Sequence, residues 1–199
     1  MRSVRRVGFA LFICWTTIFG CAQTRACNQI VNQMEFELLA AGFSTLFGVE
    51  EVTVEQLLDW QKNADAPLLL IDVRRPEEQS VSHLPGAVLA STDEDISLRP
   101  EVQNFRARFQ NDARHNARII VYCAAGYRSG QSIAVMSGDT TSPPVRNLRG
   151  GIIAYANAGG ALVTPNGDAT RRVHGYSEKW SSYLRAPAQP VLEPAIPDA

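Results

Sequence analysis

The run Arg118-Ile119-Ile120-Val121-Tyr122 is β-branched and aromatic, the composition of a strand buried in a core. It stops abruptly at Cys123-Ala124-Ala125-Gly126-Tyr127-Arg128-Ser129. From Gly126 to Met136 the apolar residues Ile133, Val135 and Met136 carry helix-compatible spacing, so the chain reads strand, short loop, helix. That order puts Cys123 at the carboxyl end of a strand, the edge of an open parallel sheet at which ligands bind. The following helix directs its unpaired N–H groups and positive dipole end back toward the cysteine.

Two readings of Cys123 follow from this placement. A lone cysteine on an apolar strand is commonly a buried, inert thiol. Alternatively, a free thiol titrates at roughly 8.5, and a helix N-terminus or a neighbouring cation lowers that value and enlarges the nucleophilic thiolate fraction. The same donors would bind sulfonate or phosphate-like oxygens, with Arg128 adding a planar charged fork.

Other short apolar segments are spaced for the same architecture. Val52-Thr53 opens a core, with Thr53 capping a helix over Val54–Lys62, and strands are expected near Leu68–Val73, Ala87–Ala90, Ile119–Cys123 and Val145–Leu148. Short strands alternating with helices imply an α/β fold with a parallel sheet covered on both faces.

Four ordered motifs narrow this further: Asp72-Val73-Arg74 with the acidic turn Glu77-Glu78, then His83-Leu84-Pro85-Gly86-Ala87, then the Cys123–Ser129 loop, then Gly150-Gly151. Over about residues 50 to 160 the chain resembles the rhodanese-like (sulfurtransferase) family. The resemblance implies a three-layer α/β/α sandwich around a mainly parallel five-stranded sheet. Three positions depart from the family pattern: Gln79 replaces a common aromatic, Ser82 a common glycine, and Tyr155 a common tryptophan. These bear on packing more than on chemistry. The stretch Ser137-Gly138-Asp139 to Pro143-Pro144 should break the helix after the loop earlier than is usual in the family.

Loop length separates two chemistries that share this fold. Four residues lie between Cys123 and Arg128, whereas the related cell-cycle phosphatases have one more. A tighter loop suits a terminal sulfur better than a whole phosphate. The resemblance thus implies a single-domain sulfurtransferase, expected from the N-terminal segment described below to be extracytoplasmic, with Cys123 as catalytic nucleophile and Ala124, Ala125, Gly126, Tyr127, Arg128 and Ser129 as the substrate-binding loop. Cys123 would take sulfur from a small sulfur-containing anion or persulfide donor and yield it to a thiol or cyanide-like acceptor. The alternative is a rhodanese-like module that binds an anion, small molecule or protein partner without turnover. A phosphatase or arsenate reductase relative is a third reading.

Asp72 and Arg74, by the same resemblance, are expected to support the loop structurally. His83 reads as a turn residue, His115 lies in a polar run, and His174 is isolated among arginines. With no Cys or His pair at ligand spacing, neither a metal nor a cofactor is expected.

The N-terminus speaks to location. Arg2, Arg5 and Arg6 precede an apolar segment, Val7–Gly20, too short for a comfortable membrane span and typical of an export signal. Ile18-Phe19-Gly20-Cys21-Ala22 resembles the lipobox of bacterial lipoproteins, with Cys21 the lipidated residue. Cleavage after Ala26 and an uncleaved anchor are the alternatives. The expected location is the periplasmic or cell-surface side of a bacterial membrane. Loss of the three arginines takes the formal charge from −1 down by three, to −4, which offers no basic stripe for nucleic acid. If Cys14 leaves and Cys21 is acylated, Cys27 and Cys123 remain, with Cys27 expected in a flexible tether. The expected organisation is an export signal over 1–20, a tether and N-terminal helix over 21–49, the rhodanese-like domain over 50–160, a packed C-terminal extension over 161–185, and a Pro-rich disordered tail over 186–199. In the extension, Tyr176, Trp180 and Tyr183 or Leu184 sit at helical spacing. Replacing Cys21 with alanine is expected to move the protein from the membrane to the soluble fraction on cell fractionation; unchanged fractionation would count against lipidation.

Overall fold

Along β4 (Arg118–Tyr122) the side chains alternate between two faces, and both faces are buried. Ile119, Val121 and, just past the strand, Cys123 join one apolar cluster. Ile120 and Tyr122 join another. The first cluster is closed by Ile96, Val102 and Ile133, the second by Val54, Leu57, Ile152 and Tyr155. β4 is therefore the centre of a sheet with helices on both sides, as its continuous apolar run implies.

The computed structural model describes residues 25–63, 66–91, 93–109, 116–136 and 143–193. The export signal, Cys21, His115 and the 137–142 stretch of the anticipated helix break lie outside the described residues. Two compact units are present, residues 1–37 and 38–199. The helix α1 (Arg25–Phe47) gives its first part to one and its last turns to the other. Cys27 lies in this helix rather than in a tether and is disulfide-bonded, while Cys123 is a free thiol.

In the larger unit the elements run β1 (Glu51–Val52), α2 (Val54–Asn63), β2 (Leu68–Asp72), α3 (Pro76–Val81), β3 (Val88–Leu89), a 3-10 turn (Ile96–Leu98), α4 (Pro100–Phe109), β4, α5 (Tyr127–Ala134), β5 (Val145–Leu148) and α6 (Gly151–Asn157). The five strands form one sheet in the order β1-β5-β4-β2-β3, with every pairing parallel. This is the α/β sandwich expected from the sequence, with α2 and α6 on one face and α4 and α5 on the other. Thr53 starts α2 as a reciprocal cap: its Oγ1 accepts from the Gln56 amide at 3.3 Å, and Gln56 Oε1 accepts from the Thr53 amide at 3.0 Å.

Beyond α6 the chain forms β6 (Leu162–Val163), β7 (Ala169–Thr170), β8 (Arg172–His174), α7 (Glu178–Ser181) and β9 (Gln189–Val191). β6 and β7 form an antiparallel hairpin, and β8 pairs in parallel with β9. Two expectations change here. Residues 189–191, assigned from their proline content to a disordered tail, pair with β8: proline excludes a ladder donor, but Gln189 donates to Arg171 and Val191 accepts from Gly175. Tyr176 is not part of a helix. Its φ is 71°, and α7 begins later, capped by Ser177.

The exit from β2 is fixed by a buried ion pair. Asp72 and Arg74 have side chains with 0% exposure. Asp72 Oδ1 accepts from Arg74 Nε at 2.9 Å and Oδ2 from Nη2 at 2.7 Å, and Nη2 also donates to the Ser82 carbonyl at 2.5 Å. Arg74 lies 5.9 Å from the ring of Tyr122, which immediately precedes Cys123. Buried carboxylates and guanidinium groups persist only when paired, because each alone loses its hydration. All three departures from the family pattern have partners. Gln79 Nε2 reaches the carbonyls of Asp72, Arg74 and Ala90 at 2.9 to 3.0 Å. Ser82 Oγ donates to Arg172 O at 2.6 Å, and Tyr155 donates to Gln61 at 2.9 Å.

Removing one partner leaves the other charge buried and alone. Asp72→Ala is expected to lower the unfolding free energy by about 3–5 kcal/mol, read as a lower denaturation midpoint in urea.

Candidate active site

The loop after β4 is shaped by the backbone of another element. Gly150 and Gly151 adopt φ values of 72° and 53°, which turn the chain so that the first amides of α6 face the loop. Ile152 N donates to the Cys123 carbonyl at 2.9 Å and Ile153 N to the Ala124 carbonyl at 3.1 Å. A Cβ on Gly151 would overlap the Cys123 carbonyl oxygen and Ala124 backbone, so close approach and left-handed backbone both require glycine there. With those two carbonyls engaged by α6, the loop turns an amide to the sulfur: Gly126 N donates to Cys123 Sγ at 3.2 Å. Gly126, at φ 104°, is the N-cap of α5.

Asn147 holds the loop from below. Its Nδ2 donates to the Gly126 carbonyl at 2.9 Å and to Ser44 Oγ at 3.2 Å, and its Oδ1 accepts from Ser129 Oγ at 2.7 Å. The Ser129 hydroxyl is therefore committed to the scaffold. Asn147 is fully buried and was not singled out from the sequence. The available signal was an amide in the otherwise buried strand β5, where a polar side chain must find partners.

Arg128 differs from expectation. Its fork does not stand open for a donor anion: Nη1 and Nη2 bond the two carboxylate oxygens of Glu78 at 2.6 and 2.7 Å. Glu78 has 1% side-chain exposure, and a carboxylate so placed requires a cation. Glu78 also accepts from the Arg75 amide at 3.0 Å. Burial alone would raise its carboxyl pKa, but the Arg128 hydrogen bonds and charge, with the Arg75 amide and Arg74 charge, hold it below the usual carboxylate range. Burial likewise opposes the Arg128 charge, yet Glu78 and the nearby Cys123 outweigh it and push Arg128 up.

Beside the loop, Val73 N donates to the Tyr122 carbonyl at 3.0 Å, Tyr122 Oη accepts from Leu84 N at 3.0 Å, and Arg74, paired with Asp72, lies over the Tyr122 ring. Burial, then the Asp72 charge, keeps the Tyr122 hydroxyl protonated well above its ordinary range. His83 lies in an antiparallel bridge just before the Leu84–Ala87 turn, its backbone paired both ways with Val163, and does not reach Cys123 in any hydrogen bond described. Cys123, Ala124 and Ala125 are nearly enclosed at 2%, 4% and 4% exposure. Tyr127 is half-exposed, its ring edge-on to Phe43 at 5.5 Å and Phe47 at 5.1 Å.

The site is thus a free thiol under an N–H donor, on a loop at the carboxyl edge of a parallel sheet. The rhodanese-like domain profile matches residues 53–158, spanning every motif above. The chain belongs to the rhodanese-like domain family. Within that family it is 32% identical over 120 residues to a sulfurtransferase of Allochromatium vinosum, covering 60% of this chain and 99% of that one. It is 29% identical over 110 residues to a probable adenylyltransferase/sulfurtransferase MoeZ of Mycobacterium tuberculosis, covering 53% of this chain and 24% of that protein. Among solved structures, a thiosulfate sulfurtransferase of Pseudomonas aeruginosa aligns with a TM-score of 0.44 at 24% identity, over 74% of this chain and 26% of that one.

The depressed Glu78 pKa sets a pH dependence for this rhodanese-like domain. Its stabilisation is complete above the unfolded carboxyl value of about 4.3 and is lost as pH falls through the lower folded value. Glu78→Gln is expected to destabilise the protein by about 2 kcal/mol at neutral pH and to flatten the loss of stability on acidification. Urea midpoints of both proteins across the acid range check this; parallel curves would refute it.

Proposed function

We propose that the protein is a sulfurtransferase in which Cys123 carries sulfane sulfur as a persulfide. The Gly126 amide on Sγ carries this reading, because an N–H donor aimed at the sulfur can hold the negative charge that a persulfide carries during transfer. With thiosulfate as donor, the Cys123 thiolate attacks the outer sulfur, the thiosulfate S–S bond breaks, and sulfite leaves with the electron pair. The persulfide's terminal sulfur is then taken by a thiophile. Attack by cyanide returns the thiolate and releases thiocyanate, so charge and atoms balance in both halves. The matched length of the Allochromatium vinosum sulfurtransferase supports this choice of chemistry.

The basic, apolar N-terminal segment and the lipobox-like Cys21 support a location outside the cytoplasm, on a lipid anchor. Enclosure of Cys123 at 2% exposure favours the second reading, a module that binds without turnover, because a nucleophile must meet its substrate.

Treatment with thiosulfate is expected to add one sulfur atom to Cys123, seen by intact-protein mass spectrometry, and cyanide to remove it as thiocyanate. Cys123→Ser is expected to lower thiosulfate:cyanide activity by at least about 1,000-fold. Absence of an adduct with thiosulfate and with low-molecular-weight persulfides would replace the enzyme reading with the binding one.

A further inference from the structure

A sulfur donor such as thiosulfate brings a negative charge to a loop whose arginines are already engaged. Arg74 is enclosed with Asp72, and Arg128 is bidentate to Glu78. Their four charges cancel in pairs, so neither arginine offers an approaching anion an unpaired cation. The third guanidinium at this edge is different. Arg75 follows Arg74 directly, is exposed, and makes no ion pair among the described residues. Its guanidinium lies 5.5 Å from the ring centroid of Tyr176, and Arg128 lies 4.6 Å from the same centroid. One aromatic ring thus joins the paired arginine beside Cys123 to the unpaired one.

Placement at the site follows from the sheet. Asp72 and Tyr122 are register partners in β2 and β4, so the segments that carry Arg75 and Cys123 leave the same edge from adjacent strands. Tyr176 is held for this contact at a cost. Its φ of 71° is unusual for a bulky residue and marks a constrained position. Its amide donates to His174 Nδ1 at 3.1 Å, while His174 Nε2 lies 2.7 Å from the Leu192 carbonyl. A ring contact stabilises a guanidinium without using its N–H groups as hydrogen-bond donors. Arg75 therefore keeps its planar fork for an oxyanion.

We propose that Arg75, presented by Tyr176, receives the anionic end of the sulfur donor, such as the sulfonate oxygens of thiosulfate, in the role that engagement with Glu78 denies to Arg128. This rests on the persulfide chemistry proposed for Cys123.

Kinetics of the full chain with thiosulfate and cyanide test it. Arg75→Gln is expected to raise KM for thiosulfate roughly three- to tenfold with kcat nearly unchanged, the pattern of a lost uniform binding contact. Arg75→Lys should recover part of the loss, and Tyr176→Leu should raise KM by a smaller factor in the same direction. Added salt should raise KM of the wild type more than that of Arg75→Gln. Lys62→Gln, which removes a cation from the end of α2, controls for net charge. A KM for Arg75→Gln within about twofold of wild type, or no larger than that of Lys62→Gln, would overturn the assignment. Equilibrium binding of thiosulfate to Cys123→Ser protein, with and without Arg75→Gln, separates this from the parent reading. No turnover by the wild type overturns the sulfur-transfer proposal, whereas equal binding by the two serine variants overturns Arg75.

Discussion

Two backbone hydrogen bonds, from Ile152 N to Cys123 O and from Ile153 N to Ala124 O, decide what the loop can do. A short loop between a strand and a helix has amides and carbonyls competing for the same small space. Capture of two carbonyls by the start of α6 turns them away and leaves an amide for the sulfur. That capture depends on Gly150 and Gly151 in left-handed conformations, on β5 lying beside β4 in parallel register, and on Asn147 tying the Gly126 carbonyl down. The site is thus a property of two adjacent crossover units. The cysteine is only where their geometry meets.

Electrostatics at this edge follow one rule: each buried charge has an assigned partner. Asp72 holds Arg74, and Glu78 holds Arg128. Such pairs add little net stability, because desolvation offsets most of the attraction, but losing either partner is costly. Their value lies in position. The Glu78 pair joins α3 to α5, and the Asp72 pair sets the chain leaving β2.

The sheet, its strand edges and the loop were legible from the sequence because each rests on local patterning: apolar runs, a glycine-bearing loop, and a Thr53 cap that the structure reproduces. What the sequence concealed rests on contacts across the chain. Glu78 stood in view as part of an acidic turn, yet nothing in its spacing told that it would meet Arg128. Asn147 could have been noticed as an amide in a buried strand, but not its three partners. The spacing of Tyr176 to Trp180 and Tyr183 fits a helix. The Ser177 cap won over that periodicity by starting α7 at Glu178, two residues later. The Pro-rich stretch misled because proline content argues against central strands and not against an edge strand such as β9.

The C-terminal extension is part of the site for the same reason. The His83 backbone pairs with Val163, and Ser82 donates to Arg172, so the segment that receives Arg74 Nη2 is itself pinned by residues from beyond α6. β8 then places His174, which fixes the Tyr176 amide, and Tyr176 touches both Arg75 and Arg128. The profile match ends at residue 158, before Val163, Arg172, His174 and Tyr176. The surface beside Arg75 and Arg128 is therefore set in part by a segment outside the matched domain, and relatives that share the loop but lack this extension will present a different surface there.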